Sequence, residues 1–154
     1  VASHSTVSSL HRHFRGKPDP VIRAIADTDG YMGICCIPRF LGGSGDIASM
    51  MRHIDYMVKK FGSDHVAIGT DVAFTSQYAT VENKKIPSYR RPRNRWEALW
   101  PMDGFQATPT MEQSMAWTNW PLFTVGMVQL GYSDQDIQKI LGGNVLRVAK
   151  NVLA

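Results

Sequence analysis

The chain has few cysteines and no long apolar run. Only two of its 154 residues are cysteines, the adjacent Cys35 and Cys36. Neighbours on a strand point to opposite faces, so this pair is poorly placed to form a disulfide, and core packing is the favoured role. No second pair of Cys or His follows at zinc-site spacing. No apolar stretch is long enough to span a membrane, so we expect no transmembrane segment in this chain.

The start of the chain has neither an initiator methionine nor a signal-like segment. It opens directly on what looks like the end of a strand, residues 1–5. We therefore expect the natural protein to extend before Val1, and the compartment stays open. With 44% hydrophobic and 19% charged residues, the chain is typical of a single globular domain.

Positive charge is concentrated in one segment. Six of the 17 lysines and arginines lie at 84–95 with no acid among them, and acids outnumber bases in the rest of the chain. Bases mixed with aromatic residues can bind single-stranded nucleic acid, but no recognised binding motif surrounds this segment. We interpret 75–106 as a basic loop insertion, or a contact to another subunit, and expect no nucleic-acid partner.

Apolar spacing predicts alternating strands and helices over residues 1–71. Strands are expected at 1–5, 31–37 and 66–70. One helix should begin with Asp19 as its cap and Pro20 in its first turn. A second should begin at Asp46 and bury a methionine-rich stripe, with His53 as a structural histidine beside it. This order is typical of parallel strands with right-handed crossovers. Three strands do not close a barrel, so the chain resembles the back part of a larger α/β fold.

Helical patterns dominate the end of the chain. They cover residues 110–116, 118–131 and 144–152, and Ser133 with Asp136 resembles a capping box before another helix.

Two polar residues lie where predicted strands end: His4 and Asp71. Arg15 lies between them in sequence. A neutral imidazole can bind zinc, a carboxylate beside an activated water can exchange its proton, and arginine can hold a substrate carboxylate. Metal-assisted hydrolysis is one interpretation. The simpler one is that Asp71 caps a turn, because one His and one Asp occur in nearly every protein.

Three blocks of sequence resemble the zinc dipeptidases of the renal, or membrane, dipeptidase family. They are residues 2–5 with Arg15 eleven positions after His4, residues 53–56 leading into 64–71, and the tail 131–148. The resemblance implies a (β/α)₈ barrel with two zinc ions bridged by a carboxylate. It makes His4 a zinc ligand at the end of the sixth strand. Arg15 becomes the residue that holds the C-terminal carboxylate of a dipeptide, and Asp71 the acid/base after the eighth strand.

The resemblance also implies that most zinc ligands lie outside this chain. Residues 1–154 are then the C-terminal part of one hydrolase barrel domain, namely its last three strands and the helices that follow. The expected partner is the N-terminal half of the barrel, on the same or a companion polypeptide. Dimers are common in the family, so a homodimer is a further partner to consider.

Two departures from the family pattern leave the substrate open. Residues 72–74 replace the usual Phe-Asp-Gly after the acid/base, and Cys35–Cys36 stand where many members have Asn and an aromatic residue. The alternatives to a dipeptidase are another amidohydrolase-type activity, such as a lactonase or an N-acyl amino acid deacylase, and a non-catalytic structural relative.

Overall fold

The computed structural model describes residues 1–72, 78, 81 and 104–153. The chain divides into two compact units, Val1–Val72 with Ala107–Ala154, and Ala73–Gln106. Within the smaller unit, the Val81 amide donates a 2.9 Å hydrogen bond to the Tyr78 carbonyl. The predicted basic loop, 75–106, falls within the residue range of this unit, and its run of bases at 84–95 lies outside the described residues.

The larger unit is built on a parallel four-stranded sheet, which confirms the predicted α/β class. Its strands are β1 (Ala2–Val7), β2 (Gly16–Lys17), β3 (Met32–Ile34) and β4 (Val66–Ile68), in the order β2-β1-β3-β4. The sequence predicted β1, β3 and β4. It missed β2, because a two-residue strand has no apolar periodicity.

The strand ends differ from those predicted. β1 continues past Ser5 to Val7, since β2 pairs with its last two residues. β3 is shorter than expected, and Pro38 begins the short helix α2 (Pro38–Leu41) instead of ending a strand. Proline lacks the N–H that a strand ladder needs but fits the first turn of a helix.

Helix α1 (Asp19–Asp27) begins one residue earlier than predicted, with Pro18 at the cap position. The prediction that Asp19 caps this helix is therefore wrong. Its carboxylate is engaged elsewhere, by Lys60, by the Tyr56 hydroxyl at 2.8 Å and by the Ser9 hydroxyl at 3.0 Å. The Lys60 hydrogen bond is the main reason that the pKa of Asp19 lies below its usual value.

Helix α3 (Ile47–Phe61) matches its prediction. Asp46 accepts a 3.1 Å hydrogen bond from the Ser49 amide at the N-terminus, and Gly62 follows the last turn with a φ of 94°. The methionine-rich stripe packs against the sheet, as expected. The buried apolar residues of this helix are Met50, Met51, Ile54, Met57 and Phe61.

Four α-helices follow in the described chain: α4 (Pro109–Ser114), α5 (Trp120–Gln129), α6 (Asp134–Gln138) and α7 (Asn144–Leu153). A 3-10 turn, Trp117–Asn119, precedes α5, and a π-helical turn, Lys139–Gly143, joins α6 to α7. Ser133 caps α6 through the Asp136 amide, as its spacing predicts. Phe123, Met127 and Ile140 join β3, β4 and α3 in the core. None of the helices in the described ranges combines the length and apolar character that a bilayer span requires.

Candidate active site

His4 and Asp71 lie close together, but only Asp71 follows a strand. The prediction that His4 ends a strand is wrong, because β1 continues to Val7; the next residue, Ser5, pairs with Ile34 at the carboxyl end of β3. His4 is in β1, where the pairing with β3 is irregular between Ala2 and Ser5. Asp71 follows β4, with a φ of 55° that aspartate tolerates better than most residues. His4 Nε2 is 3.9 Å from Asp71 Oδ1, and the two side chains are 40% and 37% exposed. The distance is too long for a hydrogen bond, so both groups keep capacity for a ligand.

Two glycines let these strands approach each other. A Cβ at Gly69 or at Gly33 would overlap the carbonyl oxygen of Ser3. The Gly69 amide donates to the Ile34 carbonyl at 3.0 Å, which holds the segment after β4 against β3. Close backbone contact at these two glycines therefore brings His4 within reach of Asp71.

The His4 ring is oriented by its neighbour. Ser3 Oγ lies 2.8 Å from His4 Nδ1, within hydrogen-bond distance. This contact leaves Nε2 as the ring nitrogen that faces Asp71. An imidazole fixed through one nitrogen presents the other to a metal or a proton donor.

Arg15 is held at the end of the loop before β2. Its amide donates to His13 Nδ1 at 3.2 Å, and its carbonyl accepts from the Ser5 hydroxyl at 2.5 Å. Its guanidinium carbon lies 5.7 Å from the centre of the Phe40 ring. The Arg15 backbone is thus anchored to β1 through Ser5, the residue after His4. The Arg15 guanidinium lies against the Phe40 ring.

Cys35 directly follows β3, and the charges of Asp71 and Arg15 affect the pKa of its thiol. Burial raises the pKa of its thiol to about 11, the nearby charge of Asp71 adds to the rise, and Arg15 opposes it. Burial also raises the pKa of Cys36 to about 12. Both thiols are free, buried and protonated at neutral pH, which agrees with the predicted packing role and excludes them as ready nucleophiles.

His53 has the structural role that its position beside the α3 stripe suggested. It is 1% exposed, Nδ1 accepts from the Val7 amide at 3.1 Å, and Nε2 donates to the Leu41 carbonyl at 3.0 Å. Desolvation lowers the pKa of the ring, so the neutral form is favoured. His53 therefore joins the end of β1 to the end of α2.

Spacing and composition did not indicate the supporting residues Ser3, Ser5 and Phe40. The two serines flank His4 in the motif that carries the family resemblance, and this flanking position was their only signal. Their partners become visible only in three dimensions, since Ser5 and Arg15 are ten positions apart.

The donor set is compatible with part of a metal site. Among residues 1–72, 78, 81 and 104–153, no group of three or more His, Cys, Asp or Glu side chains is placed to hold a metal ion. His4 and Asp71 do supply one imidazole and one carboxylate, which are donor types that zinc binds. The described residues therefore fit a share of a metal site and not a complete one.

Comparison with known proteins identifies similar proteins among metal-dependent peptidases and dipeptidases. The family model described as membrane dipeptidase, peptidase family M19, matches residues 1–86. The chain is 36% identical over 77 residues to an uncharacterized protein in the pqqA 5' region of Klebsiella pneumoniae, covering 46% of this chain and 28% of that protein. It is 23% identical over 156 residues to dipeptidase tcpJ of Claviceps purpurea, covering 99% of this chain and 29% of the dipeptidase.

A solved structure shares the fold. It is a metallo peptidase from Rhodobacter sphaeroides liganded with a phosphinate mimic of the dipeptide L-Ala-D-Ala. The TM-score is 0.61 at 19% identity, over 92% of this chain and 32% of the metallo peptidase. The chain thus spans less than a third of the length of each of these three proteins.

Proposed function

The chain belongs to the membrane dipeptidase family, peptidase family M19, and we propose that it forms part of the active site of a zinc-dependent dipeptidase. The observation that carries this proposal is the approach of His4, within β1, to Asp71, which follows the carboxyl end of β4. In parallel α/β folds, ligands bind at the carboxyl ends of the strands.

Each of the three residues has a separate task. His4 would be one ligand of a dinuclear zinc site, most of whose ligands lie outside this chain. When bound, the metal ions supply Lewis acidity that activates water and polarises the amide carbonyl. Asp71 would accept the proton of the attacking water and deliver it to the leaving amine. Arg15 would bind the free C-terminal carboxylate of the dipeptide through its guanidinium.

In this proposal the chain is the C-terminal part of a (β/α)₈ barrel. β1, β3 and β4 supply the last three barrel strands, and residues 75–106 are an insertion within the same domain. β2 covers only the Thr6–Val7 end of β1. The rest of that edge is available for the preceding strand, which an N-terminal half on the same or a companion polypeptide would provide.

The variant Asp71→Asn in the complete protein tests the acid/base assignment. Asparagine keeps the shape and tolerates the same positive φ but cannot take a proton, so we expect kcat to fall about 10²- to 10⁴-fold. Zinc content should be unchanged. Asp29→Asn is the matched control, because Asp29 also has a positive φ, 58°, and lies in an exposed turn. Turnover that is equal in the two variants would remove Asp71 from the acid/base role.

A further inference from the structure

Ser5 connects the strand that carries His4 to the loop that carries Arg15. It follows His4 directly in β1 and is 2% exposed. Its hydroxyl donates a 2.5 Å hydrogen bond to the Arg15 carbonyl, and its own carbonyl accepts a 2.9 Å hydrogen bond from the Cys35 amide. One residue therefore connects β1, β3 and the backbone of Arg15.

This link bears on where the Arg15 guanidinium lies. The Arg15 backbone has two contacts that fix it, the Ser5 hydroxyl on the carbonyl and His13 Nδ1 on the amide. Only the Ser5 contact comes from the sheet, because His13 belongs to the same loop as Arg15. Without the Ser5 hydroxyl, the loop would lose its side-chain tie to the strand that carries His4.

We propose that Ser5 is the positioning residue that sets the spacing between His4 and the carboxylate-binding Arg15, and so selects substrates by their carboxylate. The inference rests on the function proposed above. A dipeptide has a nearly fixed distance between its amide carbonyl and its terminal carboxylate. Arg15, which binds that carboxylate, therefore has to be held at a set distance from His4, which lies beside the amide. The peptide bond from His4 to Ser5 and the hydrogen bond from Ser5 to Arg15 add this constraint to the backbone pairing of Thr6 with Gly16.

The neighbouring Thr6 offers a matched control. It lies on the same strand, is fully buried, and its hydroxyl has no hydrogen-bond partner within the described part of the chain. Thr6→Val removes a buried hydroxyl of the same strand without removing a hydrogen bond to the described residues. Ser5→Ala removes the hydroxyl that holds Arg15.

The experiment uses the complete protein, a dipeptide and the C-terminal amide of that dipeptide. For Ser5→Ala we expect KM for the dipeptide to rise about three- to ten-fold, with kcat little changed, because one buried hydrogen bond that positions Arg15 is lost. Binding of the amide should not change; it is measured as an inhibition constant if the amide is not hydrolysed. Thr6→Val should leave both values at wild type.

Arg15→Met, measured alongside, separates the inference from the function on which it rests. If Arg15→Met abolishes the preference for the free acid and Ser5→Ala retains it in full, the role of Ser5 is refuted and the proposed function stands. If Arg15→Met itself keeps the preference, the assignment of Arg15 in the proposed function is wrong.

Ser5→Cys covers the case in which Ser5→Ala does not fold. It keeps the length and branching of the side chain, replaces the oxygen by a larger sulfur, and weakens the donor. We therefore expect the same selective rise in KM, but a smaller one. A Ser5→Cys protein with the wild-type ratio of acid to amide binding would overturn the proposal.

Discussion

Polar side chains lie at both ends of β4, but they have opposite roles at the two ends. Beyond the carboxyl end of β4 at Ile68, Asp71 lies exposed with its carboxylate 3.9 Å from the His4 ring. At its amino end, Asn144 is 2% exposed, and its amide donates 2.7 Å hydrogen bonds to the carbonyls of Ser63 and Val66. One end keeps its polar groups available, and the other uses them to attach α7 to the sheet.

The same contrast holds for residues of the same type. His53 has both ring nitrogens bonded to backbone groups and is buried, whereas the His4 side chain is 40% exposed. Arg147 donates to the carbonyls of Asp29 and Asp64, whereas Arg15 rests over Phe40. Residue type alone therefore does not identify a functional group here. The remaining capacity to bind a ligand does, and His4 and Asp71 have it beside the carboxyl ends of β3 and β4.

Replacing Asn144 by alanine tests the amino end of β4 and has the largest expected effect on stability. It leaves two carbonyls, one of them buried in the sheet, without their partner, so the free energy of unfolding should fall by about 2 to 3 kcal/mol. Urea denaturation of the complete protein measures this loss. The folded variant should keep the wild-type kcat.

Asn119→Ala is the control for that experiment. The Asn119 amide also donates to two carbonyls, those of Gln113 and Ser114, but from a half-buried position where water can replace it. Its loss should therefore be smaller. A reduced kcat with unchanged stability in Asn144→Ala would break the comparison between the two ends of β4.

His53→Gln tests the contrast between the two histidines through pH. The folded state holds His53 with a lowered pKa, mainly because the ring is desolvated, while Arg52 and His11 also disfavour its charge. The unfolded state binds the proton more readily below about pH 6.5. Stability from this group is therefore present above that pH and is lost as the pH falls.

We expect wild type to lose at most about 1.4 kcal/mol per pH unit through His53 in that range. Glutamine can accept from Val7 and donate to Leu41 without titrating, so His53→Gln should show a shallower fall between pH 7 and pH 5. Urea denaturation at several pH values measures both slopes. Equal slopes in the two proteins would show that His53 is not held neutral by the fold.

The sequence predicted elements whose signals are local. The methionine-rich face of α3 and its Asp46 cap could be predicted, because both follow from spacing along one helix. The two-residue β2 was not readable, because its strand character comes from pairing with β1. Asp19 carries a typical capping residue type, but Lys60 and Tyr56, about forty positions away, bind its carboxylate.

The candidate site was predictable only in part for the same reason. His4, Arg15 and Asp71 could be named from strand ends and from family resemblance. The bond from Ser5 to Arg15 could not, nor could the close backbone approach at Gly69. The first depends on how the loop before β2 returns to β1, and the second on how β1, β3 and β4 lie together. Spacing along the chain does not encode such contacts.

The most direct test of the account is a comparison of substrates with the complete, zinc-loaded protein. The measurement is kcat/KM for a dipeptide, its C-terminal amide, an N-acyl amino acid and a lactone. We predict that the dipeptide with a free carboxylate is the preferred substrate and that its amide is a much poorer one. Preferred hydrolysis of the lactone or the N-acyl amino acid, or no hydrolysis of any of them, would contradict it.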